Sequence, residues 1–124
     1  MNSREKGKAG EREAAAFLTL NGLPARRGCQ FSGSPDSPDV VCPLLPGVHL
    51  EVKRCERTDL EGWLAQATAD AGGKLPVVIH RKNNGTWIGI LRAEDLLALL
   101  RASPFARVGA CNETRNPGPS GEAP

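Results

Sequence analysis

Between Val48 and Lys53 the chain alternates strictly, with Val48, Leu50 and Val52 separated by His49, Glu51 and Lys53. Successive side chains of a strand leave on opposite faces, so one face reads as core and the other as a polar row. The run before it, "DVVC" from Asp39 to Cys42, is apolar, and the intervening "PLLPG" is turn-forming. Together they predict an antiparallel hairpin centred on residue 45. Asp39 and Glu51 are equidistant from that centre, which sets the two carboxylates opposite each other.

A helical period governs the first segment, predicted from about Arg4 to Asn21 with Ser3 as N-cap and Gly22 just past its end. Ala14, Ala15, Leu18 and Gly22 share one face with Glu11, whereas Glu5 and Glu13 point elsewhere. "ARRGCQF" (Ala25 to Phe31) reads as a strand, and "SGSPDSP" as the loop leading to the hairpin. "TDLE" has the form of a capping box with Thr58 as N-cap, opening a helix to about Ala71. That helix turns Leu60, Trp63, Leu64, Ala67 and Ala71 inward, and Gly72 and Gly73 stop it. "LPVVIHR" and "TWIGIL" are two more strands separated by the turn signal "KNNG". A last helix, "RAEDLLALLRA", carries Leu96, Leu97 and Leu100 on one face. The order α-β-β-β-α-β-β-α predicts an α/β domain over residues 1–102, an open mixed five-stranded sheet flanked by helices. Residues 103–124, rich in Pro and Gly, read as a disordered tail.

Composition narrows the setting. A chain of 124 residues is one domain that buries about two thirds of its unfolded surface without a staple. Its four cysteines form no C-x-x-C pair and its two histidines no H-x-x-x-H, which argues against a structural zinc site and for reduced thiols. With no long apolar run and a charged N-terminus, a soluble cytoplasmic protein without a membrane segment is expected. Net charge is +2, but neutralising Glu11, Asp39 and Glu51 would leave +5 on the remainder. The bases fall in clusters: Arg4, Lys6, Lys8 and Arg12; Arg26 and Arg27; Lys53, Arg54 and Arg57; Arg81 and Lys82. Clustered positive charge around acids suits a polyanion.

Opposed carboxylates destabilise a strand pair unless a positive charge sits between them. Mg²⁺ fits, since it binds through one or two carboxylates and takes other ligands from water and phosphate. Glu11, on the packed face of the first helix, is the candidate third acid. Plainer readings exist for each feature: an acidic and basic hairpin face that serves solubility, or a glutamate near a positive helix end. A one-residue slip of the register would also turn Asp39 to the other face.

An acid on the first helix, Pro-Asp opening one strand and Glu-x-Lys on the next resemble the PD-(D/E)xK nuclease superfamily, most of all the archaeal-type Holliday junction resolvases. The similarity spans roughly residues 6 to 100 and rests on "KGKAGER", "RGCQFSGS", "PDVV", "LEVKR" and Gln66. It implies a restriction-endonuclease-like fold in which Glu11, Asp39 and Glu51 bind Mg²⁺, or Mn²⁺ in its place, and Lys53 is the catalytic lysine. Ser32, in the loop before the second strand, and Gln66 would support the site. Lys6, Lys8, Arg12, Arg26, Arg27 and Arg54 would contact DNA. The loop also offers a second Pro-Asp pair, Pro35 and Asp36, but its separation from Glu51 does not suit a short hairpin. The implied activity is metal-dependent endonucleolytic hydrolysis of branched DNA in recombination or repair, by a homodimer. The alternatives are a non-catalytic DNA-binding protein that keeps the fold and a related nuclease for other DNA structures.

Overall fold

The computed structural model describes residues 3–28 and 38–107. Two compact units divide the chain, Met1–Leu91 and Arg92–Pro124.

In the first unit the elements are α1 (Ser3–Leu20), β1 (Arg26–Arg27), β2 (Val40–Val41), β3 (Val48–Arg54), α2 (Leu60–Ala71), β4 (Leu75–Arg81) and β5 (Ile88–Ile90). The five strands make one open mixed sheet in the order β1-β2-β3-β4-β5. Only the β3–β4 pair is parallel, joined through α2. The hairpin register is the expected one: Val40 faces Leu50, which centres the turn on residue 45.

α1 and α2 cover opposite faces. Ala14, Ala15 and Leu18 of α1 pack with Val40, Leu50 and Ile79, while Leu64 and Ala67 of α2 pack with Val78. β3 is therefore covered on both sides, as a strand with a parallel neighbour usually is. Its polar row lies under α2, so His49 and Glu51 are buried. α1 comes close to β3 at Gly10, where an added Cβ would stand 2.7 Å from Cβ of Arg54. A glycine inside a helix costs about 0.5–1 kcal/mol relative to alanine, and here it allows the approach that sets Glu11 and Glu13 beside the sheet.

Several local expectations shift. Ser3 is the first helical residue of α1 rather than its cap. α1 ends at Gly22, whose φ of 87° lets the chain reverse so that the Leu23 N–H reaches the Leu18 carbonyl. α2 is capped by Asp59, not Thr58: its carboxylate accepts the Gly62 N–H at 3.1 Å. Asp is as good a cap as Thr, and Leu60, in the first turn of α2, is exposed rather than inward. At the same end, Trp63 packs at a tilt of 58° against His80, which bonds the Cys55 carbonyl at 2.9 Å.

The second unit contains α3 (Ala93–Arg101), with Glu94 and Asp95 in its first turn and Arg101 in its last. None of its residues is buried, and Leu96, Leu97, Leu99 and Leu100 are exposed. The expected disordered tail lies mostly in residues 108–124, outside the described residues, but residues 103–106 continue α3 into a turn closed by the Ala106 N–H on the Ser103 carbonyl. Among the described residues no helix is long and apolar enough to cross a membrane.

Candidate active site

The ladder between β2 and β3 stops short at Asp39. Its backbone N–H donates to the Leu50 carbonyl at 3.1 Å, and its carboxylate accepts the Val52 N–H at 2.9 Å. A side chain thus stands where a strand partner would be. The N–H and C=O of a strand residue leave on the same edge, so the Val52 carbonyl faces the Asp39 side as well. The place where β2 and β3 part is lined by a carboxylate and a peptide oxygen.

Glu51, on the α2 face of β3, and Glu11, on α1, both feel the charge of Asp39. Burial pushes the Glu51 carboxyl above the usual glutamate range, and the negative charge of Asp39 pushes it further, against the opposing pull of His49 and Lys53. Glu11 is raised in the same order, by burial and then by Asp39, although the Arg27 guanidinium bonds it at 2.8 Å. Asp39, just ahead of β2, thus acts electrostatically on an acid of α1 and an acid of β3. Lys53 lies on the Glu51 face of β3 and is half-buried.

Mg²⁺ fits this donor set. It demands oxygen ligands, and Asp39, Glu51, Glu11 and the Val52 carbonyl supply them. Two of the carboxyls are raised, by burial first and then by the charge of Asp39, and a bound cation would offset both. The ion would be held by Asp39, Glu51 and the Val52 carbonyl, with Glu11 adjoining.

The remaining expected residues divide. Lys6, Arg12 and Arg26 are exposed, and Lys8 is half-exposed, 3.9 Å from Glu5. Arg27 is tied to Glu11. Arg54 is committed inward, its guanidinium donating to Glu13 at 2.8 Å and to Asn83 at 3.0 Å, which suits a structural role better than a phosphate contact. Gln66 is exposed on α2. Ser32, Pro35 and Asp36 lie outside the described residues.

Three features were not foreseen. Glu13, expected to point away, bridges Arg54 and Arg81, and their hydrogen bonds outweigh burial to hold its carboxyl below the usual range. His49 bonds Glu51 at 2.7 Å beneath α2. Strict alternation had put His49 on the Glu51 face, which was the available signal. Asp70, from the C-terminal turn of α2, comes near both; no local pattern marks it. A cavity of about 500 Å³ at the β3–α2 connection is lined by Cys55, Arg57, Asp59 and Trp63 but by none of Glu11, Asp39, Glu51 and Lys53. No family model, curated protein or solved structure matches this chain.

Proposed function

We propose that this chain is a Mg²⁺-dependent, structure-selective DNA endonuclease with a restriction-endonuclease-like fold, of the PD-(D/E)xK kind and closest in character to Holliday junction resolvases. The observation that carries the reading is Asp39, pinned across the parting of β2 and β3 by the Val52 N–H, with its charge felt by both Glu51 and Glu11 and with Lys53 two residues beyond Glu51.

Phosphodiester hydrolysis needs a nucleophile made from water and relief of charge on the phosphate. Bound Mg²⁺ supplies Lewis acidity toward the phosphate and acidifies water. Asp39 is held in place by the Val52 N–H and Glu51 by His49, so both are oriented before substrate arrives. Lys53 would steer the attacking water and offset the charge that develops on the phosphate. Glu11, raised toward protonation and held by Arg27, would orient water on the α1 side. Lys6, Arg12 and Arg26, exposed on α1 and β1, would follow the phosphate backbone.

A four-way junction must be cut on two strands, and one chain carries one set of acids. The resolvase reading therefore includes a C₂ homodimer, the commonest symmetric oligomer. Exposed leucines on α3 and Ile88 on β5 are apolar surfaces available to such a contact. Cleavage of duplex, single-stranded, flap and four-way-junction DNA, with and without Mg²⁺, tests the assignment. Mg²⁺-dependent cutting of branched substrates is expected. Salt-sensitive binding with no cleavage of any substrate would leave only the DNA-binding protein.

A further inference from the structure

Beneath α2, on the far side of Glu51, lies a second group of metal-ligating atoms. His49 Nε2 and Glu51 Oε2 stand 2.7 Å apart, and both residues are more than nine-tenths buried. Being two residues apart on β3, they project to the same face. Asp70, one turn past the buried Ala67, brings a carboxylate oxygen from α2, and the three ligand atoms all lie within 4.8 Å of one another. Among the described residues, Asp70 makes no hydrogen bond or ion pair of its own.

Two carboxylates and an imidazole thus face one another with only the His49–Glu51 hydrogen bond to join them. Glu51 is the buried carboxylate of the three, and burying one is costly unless a positive partner is present. The described residues place Lys53 on this face of β3, but it lies beyond Glu51, away from His49 and Asp70.

We propose that His49, Glu51 and Asp70 form a binding site for a borderline transition-metal dication of the Zn²⁺ class. Imidazole together with carboxylate suits such ions, whereas Mg²⁺ takes oxygen ligands and keeps its waters. Tetrahedral coordination at about 2.0–2.2 Å sets ligand atoms about 3.4 Å apart. His49 and Glu51 need only part slightly to admit the ion in place of the shared proton, and Asp70 needs only draw in. Water would complete the shell. The site goes beyond the nuclease reading and stands without it: its ligands come from β3 and α2 alone, and only Glu51 is common to both sets.

Calorimetric titration of the purified full chain with Zn²⁺, then with Co²⁺ monitored by absorption, tests the proposal. One equivalent should bind, with no thiolate charge-transfer band for Co²⁺. Asp70→Asn, at a half-exposed helix position, should weaken Zn²⁺ by at least about tenfold, and His49→Gln should do the same. Asp39→Asn should impair Mg²⁺ binding while weakening Zn²⁺ less than Asp70→Asn does, which separates failure of this site from failure of the nuclease reading. Absence of Zn²⁺ binding by the wild-type chain would overturn the proposal. So would equal affinity in the wild type and Asp70→Asn, or a thiolate band, since either places the ion on other ligands such as the cysteines.

Discussion

Glu11 and Glu13 are two residues apart on α1, both half-buried and both bonded to arginine, yet their carboxyls are displaced in opposite directions. Glu13 faces Arg54 and Arg81, each at 2.7–2.8 Å, and is held ionised. Glu11 is raised by burial first and then by the charge of Asp39, which together outweigh the pull of Arg27 and Arg12. The first arrangement is electrostatically complete and ties α1 to β3 and β4. In the second, which includes Glu51, burial and the charge of Asp39 outweigh the nearby bases. Perturbed carboxyls concentrate at functional sites, which makes Glu11 and Glu51, rather than Glu13, the candidates.

The comparison breaks most decisively at Asp39. Asp39→Asn and Glu51→Gln keep the hydrogen bonds to the Val52 N–H and to His49 but remove charge. Mg²⁺-dependent cleavage should fall by roughly 10²–10³-fold or more while the thermal midpoint holds or rises. Undiminished cleavage by the folded Asp39→Asn protein would end the nuclease assignment. Lys53→Ala sharpens the roles within the cluster: Mg²⁺ affinity measured by calorimetry should survive, and turnover should drop with little change in DNA binding. If its only defect were a lower thermal midpoint, Lys53 would be a salt-bridge residue.

Glu13→Gln tests the complete side. It leaves Arg54 and Arg81 with a neutral acceptor, and after allowance for solvent screening should cost about 1–2 kcal/mol. For a unit of this size that lowers the thermal midpoint by roughly 4–8 °C per kcal/mol. Mg²⁺ affinity should change little. A variant as stable as the wild type would show that Glu13 is not the tie between α1 and the sheet.

The hairpin was legible because two independent signals agreed: the strict alternation of β3 fixed the faces, and the "PLLPG" turn fixed the register that pairs Val40 with Leu50. Glu11 was legible because the face of a helix follows from spacing alone. What escaped depends on contacts distant in sequence. Alternation distinguishes two faces but not whether the polar one is covered, so the burial of His49 and Glu51 under α2 could not be read from β3. The Glu13–Arg81 bond spans 68 residues, and the Asp70 approach depends on how α2 packs. α3 marks another limit: its leucine stripe reads the same whether it is buried or, as found, exposed. Thr58 and Asp59 are both competent caps, and local chemistry alone does not choose between them.

The smallest effect is the most direct measure of the contrast. A carboxyl whose pKa is raised by folding binds its proton more tightly in the folded state, so stability declines as pH rises from the usual value of 4.5 through the raised one. Glu11 and Glu51 therefore weaken the metal-free protein at neutral pH and cease to do so once protonated. Glu13 has the opposite sign: its contribution is present above 4.5 and is lost as pH falls through its depressed folded value. Carboxyl chemical shifts followed by NMR titration should place the Glu11 and Glu51 midpoints above that of Glu13. In Asp39→Asn the first two should move down, because one of the two causes raising them is gone, while Glu13, whose causes are burial, Arg54 and Arg81, should stay in place. Equal movement of all three would mean that the variant had altered the packing of α1 as a whole. No movement of Glu11 and Glu51 would mean that burial alone raises them, and that Asp39 does not share their site.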